Sequence, residues 1–234
     1  MGLDIESIKT KNTFIGQELI YKDFLIFFGN KNSTLETIKS AYPELILRRI
    51  KQVHGDKAVL SSSDLGTIPE ADGHYSTEKN IALTIITADC LPVFWMHPNA
   101  YFAGIHAGWR GVHQQIVEKS LNQIVPKGTT ELTSVFIGPH IQKNSFEVDE
   151  DVKNQLLNFD LSPKDEEDFF TKKSIKYYID LSAILKFRLE KNFQILSNNV
   201  YLSKIDTFSN DQFHSYRRDK EQSGRQLSFI AKIK

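Results

Sequence analysis

One cysteine in 234 residues is too few for an internal disulfide, so a reducing compartment suits this chain. Net charge is missing as well. Lys plus Arg and Asp plus Glu stand at 29 each, which removes the broad cationic field that attracts nucleic acid or an anionic membrane. No apolar run reaches the length of a membrane span, and the first residues, MGLDIESIKTKN, hold no apolar signal core. No Pro/Gly/Ser-rich linker divides the sequence. These absences predict one domain over residues 1–234, cytoplasmic, a monomer or small homo-oligomer, whose partner is a small molecule and neither nucleic acid nor membrane.

What the chain does have is 40% hydrophobic residues in short patterned runs. Phe24 to Phe28, Leu45 to Val53, Ile81 to Thr87, Val93 to Met96, Tyr101 to Ile105, Ser134 to Gly138 and Leu227 to Ile233 read as strands, with Pro92 breaking the chain after Cys90. Helical stripes lie between them. Leu35, Ile38 and Tyr42 follow a capping box at Ser33-Thr34-Leu35-Glu36 and stop at Pro43. Val112, Ile116, Val117, Leu121 and Ile124 mark one continuous helix. Val152, Leu156 and Phe159 follow Asp149 as cap, and Leu181, Ile184, Leu185 and Leu189 follow Asp180. The alternation predicts an α/β (mixed α+β) fold with a mixed β-sheet and peripheral helices.

The candidate chemistry gathers at the ends of the apolar runs. The single cysteine, Cys90, follows IALTIIT, His106 ends YFAGI, and His54 follows LILRRIKQV. Two imidazoles and a thiolate suit zinc, and three protein ligands leave a fourth tetrahedral position open. The gaps from 54 to 90 and from 90 to 106 far exceed the roughly two-to-five-residue spacing of a local zinc motif, so residue types alone favour reading Cys90 as a small buried hydrophobe over a metal ligand. Asp72, in an Ala-Asp-Gly turn, is either a turn former or a carboxylate supporting a ligand histidine. Arg110 stands at a helix start and can bind an anion such as phosphate or fix its loop by a salt bridge. His140, after the strand SVFIG, is a lining residue or a satisfied structural imidazole. In the tail, Tyr216, Arg217, Arg218 and Arg225 can stack a purine and bind ribose or phosphate, or form a basic surface turn.

The strings Gln52-Val53-His54-Gly55, Ala88-Asp89-Cys90, HAGWRG (His106 to Gly111), IGPHI followed by Phe146-Glu147-Val148, and SYRRD followed by SGRQ occur in a fixed order. From about Phe24 to the C-terminus this order resembles the laccase-domain family, also called YfiH-like or polyphenol-oxidase-type, whose members are similar to zinc-dependent purine nucleoside phosphorylases. The resemblance implies zinc on His54, Cys90 and His106, and a share in catalysis for those residues and for Asp72. It also implies phosphorolysis of adenosine, inosine, guanosine and S-methyl-5′-thioadenosine, with deamination of adenosine. Substrate contacts are expected from Arg110, His140, Arg217 and Arg218. The chain departs from the family where many members carry a further cysteine: here the segment reads SKIDTFSNDQFHSYRRD, with Asp206 near that place and His214 replacing a common aromatic. A multicopper oxidase fits less well, because three ligands with one thiolate cannot assemble a multicopper cluster. A cysteine hydrolase using Cys90 with His106 to edit a cell-wall precursor is the main rival, and a structural zinc module the non-enzymatic one.

Overall fold

The computed structural model describes residues 3–5, 8, 10–64, 66–98, 101–158 and 168–234. Its strands divide between two large sheets and one small one, which no pattern in the sequence had separated. The seven-stranded sheet runs in the order Leu3–Asp4, Val200–Leu202, Ser134–Ile137, Leu91–Met96, Phe102–Ala107, Gly73–Ser76 and Ala58–Leu60. Its middle strands are antiparallel and its flanking pairs parallel. The six-stranded sheet runs Thr10–Thr13, Gly16–Tyr21, Phe24–Gly29, Gln226–Lys232, Ile81–Thr87 and Ile46–Arg48. A three-stranded sheet holds Glu147–Val148, Lys176–Ile179 and Phe170–Lys173.

Alternation along each strand explains the layering. Even-numbered Ile26 and Phe28, with Leu83, Ile85 and Ile230, face Phe94, Phe102 and Phe136 of the seven-stranded sheet. Their neighbours Leu25, Phe27, Ala82 and Phe229 face the other way, onto Ile38 and Tyr42 of the helix Leu35–Ala41 and its end. On the far side of the larger sheet, Val93, Trp95, Ile105 and Val135 pack against Val117 and Leu121 of the helix Ile116–Ile124 and Leu185 and Leu189 of the helix Leu181–Phe193. Both faces of the central strands are thus covered, which is why those strands read as solid apolar runs. The Trp95 indole donates to Ser120 Oγ at 3.0 Å, tying sheet to helix.

Several expectations shift. The strand expected over Leu45 to Val53 stops at Arg48, since Lys51 to Gly55 turn out of the ladder toward Asp72. Pro92 does not break the chain; it sits second in its strand, where a missing N–H costs little, and its carbonyl accepts from Gly138. The cap of Leu35–Ala41 is Thr34 paired with Thr37, whereas Ser33 is buried and accepts from the Leu227 amide. The single helix expected after Gly108 is two, Trp109–His113 and Ile116–Ile124, parted by Gln115 at φ +62°. Asp180 caps its helix through the Ala183 amide at 2.8 Å, as expected. Phe159 lies outside the described residues. Among the described residues no helix is long and apolar enough to cross a membrane.

Candidate active site

The hairpin of Leu91–Met96 and Phe102–Ala107 pairs His106 opposite Pro92 and Ala107 opposite Leu91. Cys90, immediately before the first of these strands, is thereby brought beside His106 despite its distance in sequence. His106 lies within its strand and is 3% exposed. His54 arrives from a loop, not a strand end, and holds the left-handed backbone at φ +60°.

One carboxylate makes that loop possible. Asp72, fully buried, accepts from the amides of Val53 (3.1 Å), His54 (2.9 Å) and Gly55 (2.7 Å) and from the His106 Nδ1–H (2.8 Å). Its main-chain carbonyl also accepts from the His106 amide at 2.7 Å. Burial alone would raise the Asp72 pKa, but the bonds from His106, Gly55 and Val53 outweigh it and hold the carboxyl below its usual value. The Gln52 side chain adds a second tether, donating to the Ile86 carbonyl and accepting from the Ile86 amide, both at 2.8 Å. Asp56, just past the loop, pairs with Lys119.

His54, Cys90 and His106 each turn one donor atom inward, all within 4.8 Å of one another. The two rings meet edge to face with centroids 4.7 Å apart. Zinc at about 2.0–2.3 Å from each donor needs them roughly 3.5 Å apart, so side-chain shifts of about an ångström close the group on an ion. With Nδ1 committed to Asp72, His106 has only Nε2 left for a metal, the usual carboxylate–histidine arrangement. Gly108 leaves the needed room: a Cβ there would lie 3.0 Å from Cys90 Sγ and 3.4 Å from the His54 ring. Without a metal, burial opposes a thiolate, yet the charge and hydrogen bond of His106, helped by His54, bring the Cys90 pKa down to about 6. Burial likewise opposes a charged His106, but Cys90 and Asp72 raise its pKa to about 9. Cys90 and His106 thus form a thiolate–imidazolium pair with one proton between them.

Two cavities meet at this cluster. The larger, about 520 Å³, is lined by Ile50, Gln52, Ile86, Thr87, Tyr216 and Arg225 together with His54, Cys90 and His106. The smaller, about 280 Å³, has Trp109, Arg110, Phe146, Arg217 and Lys220 around His54 and Cys90. Arg110 is exposed and lies over the Trp109 ring at 4.5 Å. Arg217 lies over Phe146 at 5.3 Å and donates one N–H to the Glu147 carbonyl at 2.7 Å.

Two expected substrate contacts are corrected. His140 is 1% exposed, with Nδ1 on the Gly138 carbonyl (2.7 Å) and Nε2 facing the Gln142 amide (3.1 Å), and it is absent from both cavity walls. Arg218 spends its guanidinium on the Asp219 carboxylate and on the carbonyls of Thr207, Phe208 and Phe213, closing a loop. Asp206, near the place of the extra cysteine, accepts from the amides of Gln142 and Phe208 and the hydroxyls of Ser145 and Ser209, a role in loop structure. Lys220, Ile50 and Ile86 were not foreseen on the walls. The apolar pair reads as core in any sequence, and Lys220, at φ +53°, follows the SYRRD string and carries no signal of its own.

The family described as multi-copper polyphenol oxidoreductase laccase matches residues 30–233. The chain belongs to this family. Among relatives, a purine nucleoside phosphorylase of Rickettsia prowazekii is 33% identical over 190 residues, 80% of this chain and 76% of its own length. Another so named, from Staphylococcus epidermidis, is 36% identical over 165 residues, which is 69% of this chain but 60% of the relative. Among solved structures, YfiH of Bacillus licheniformis shares the fold, with TM-score 0.86 at 20% identity, covering 96% of this chain and 99% of that one. YlmD of Geobacillus stearothermophilus gives TM-score 0.84 at 23% identity, with the same coverage of each chain. The mixed α/β fold is thus YfiH-like.

Proposed function

We propose that this chain is a zinc-dependent purine nucleoside phosphorylase. It would split adenosine, inosine, guanosine and S-methyl-5′-thioadenosine with phosphate, deaminate adenosine, and work as one catalytic unit over residues 1–234. The observation that carries the reading is a His54–Cys90–His106 group on the shared wall of two cavities, in a chain whose relatives bear the phosphorylase name. Two imidazoles and one thiolate match zinc, and it is the one such group among the described residues, which favours a single ion over a multicopper cluster. When bound, zinc would supply a Lewis acid where the two cavities meet. Asp72 holds His106 in one tautomer and fixes the His54 loop, so its part is positioning. Arg110, Arg217 and Lys220 would hold phosphate on one side, while Tyr216 with Ile50 and Ile86 offers a flat apolar seat for a base on the other.

Metal analysis should find about one zinc per chain, lost in Cys90→Ala. Adenosine should then yield free adenine only when phosphate is present, and inosine without it. Full zinc occupancy in Cys90→Ala, or base release indifferent to phosphate, rejects the proposal.

One observation favours a second reading. Cys90, His106 and Asp72 also have the order of nucleophile, base and orienting carboxylate, as a cysteine hydrolase requires. Iodoacetamide on this single-cysteine chain separates the two: zinc-loaded protein should label slowly and chelated protein fast. Rapid labelling at full zinc occupancy promotes the hydrolase.

A further inference from the structure

The two cavities owe Tyr216, Arg217, Lys220 and Arg225 to one segment, residues 207–225, remote in sequence from the His54 and His106 loops. What seats that segment against the cluster is the carboxylate next to Cys90. Asp89 is 8% exposed and holds φ +85°. Its Oδ1 accepts from the Thr207 hydroxyl at 2.7 Å, and its Oδ2 from the Ser215 hydroxyl at 3.0 Å and the Arg217 amide at 2.6 Å. Ser215 in turn caps the short helix Tyr216–Asp219 by accepting from the Arg218 amide at 3.2 Å. Both ends of the 207–217 loop therefore hang on the two oxygens of one side chain. The loop's internal shape is kept separately, by the Arg218 guanidinium on the carbonyls of Thr207, Phe208 and Phe213.

We infer that Asp89 is a positioning residue that docks the 207–225 segment onto the Cys90 turn and thereby builds the substrate half of the site. Asp89 stands on the wall of the smaller cavity, and its carboxylate bonds run to Thr207, Ser215 and Arg217, so its side chain sets where Tyr216 and Arg217 stand without holding the metal donors. The kinetic part of this inference rests on the proposed phosphorolysis; the docking part does not.

Two substitutions isolate the carboxylate. Glycine accepts φ +85° without strain, so Asp89→Gly removes the side chain and spares the turn. Asparagine tolerates the same backbone, keeps one oxygen for Ser215 and Arg217, and turns its amide to the Thr207 hydroxyl, which can accept. Hydrogen exchange, zinc content and steady-state kinetics are measured on both proteins and the wild type. Asp89→Gly should keep its zinc, exchange the Arg217 amide at least about tenfold faster, and raise the KM for phosphate about tenfold with kcat changed less than about threefold. Asp89→Asn should stay within about threefold of wild type throughout. Unchanged exchange in Asp89→Gly overturns the inference, as does a kinetic loss equally deep in Asp89→Asn, which would make Asp89 an acid–base group. A wild type without phosphorolysis would reject the proposed function, while exchange and zinc content would still decide for or against docking by Asp89.

Discussion

Asp72 and Asp89 are both buried beside a turn and both collect donors from distant segments, yet they organise different halves of the site. Asp72 takes three consecutive amides and the ring of His106. Asp89 takes two hydroxyls and one amide, all from the C-terminal segment. Loop amides cannot turn away when their acceptor is lost, and the buried His106 ring left without its carboxylate costs about 1–3 kcal/mol. Hydroxyls can rotate to a new partner. The metal half is therefore built to be rigid, and the substrate half to be seated by bonds that can be exchanged.

The largest test of that contrast is Asp72→Ala, which strands three amides and unfastens His106. It should lower stability by about 3–5 kcal/mol in urea unfolding and strip the metal on dialysis. Metal retention equal to that of Asp89→Gly would erase the distinction between the two aspartates. Next comes Arg110→Ala, on the cationic side. On the proposed function only phosphorolysis uses phosphate, so that reaction should fall about tenfold while the proposed adenosine deamination stays nearly constant. Equal losses would assign Arg110 to bracing Trp109 instead.

The smallest effect lies beneath the metal half. His74 is fully buried, its Nδ1 facing Ser61 Oγ at 3.2 Å, and burial pushes its pKa down to about 3 against a weaker opposing backbone contact from Thr84. The unfolded chain takes a proton at His74 near pH 6.5, whereas the folded chain does not until near 3. Stability is therefore complete above about pH 6.5 and falls as pH drops toward 3, by at most about 1.4 kcal/mol per unit from this group. Burial depresses His140 in the same direction. Urea unfolding at pH 7 and pH 5 should show a smaller difference in His74→Gln than in wild type; equal differences would remove His74 from the account.

Much of this was legible in the residues. Ile81–Thr87 and Phe24–Gly29 are strands where the apolar runs lie, and the donors His54, Cys90 and His106 do converge. The order of motifs marked the family correctly. The split into two sheets was not legible, because strands covered on both faces carry no sign of which partner they face. His140 and Arg218 misled for a related reason. An imidazole or guanidinium among short motifs looks the same whether it meets a substrate or main-chain carbonyls, and carbonyls have no sequence signature. The strand before His54 was extended too far since LILRRIKQV alternates well enough to be a strand, while the pull of Asp72 on the amides of Val53 to Gly55 comes from residues far along the chain.

Gly108 gives the site a different kind of constraint. The one carbon it lacks would press on Cys90 Sγ at 3.0 Å and on the His54 ring at 3.4 Å, two of the three donors at once. It bonds to neither through a side chain. The spacing between thiolate and imidazole is thus moulded by a hollow, and the mildest possible addition, a single methyl group, would deform the donor triangle while leaving every donor in the sequence intact.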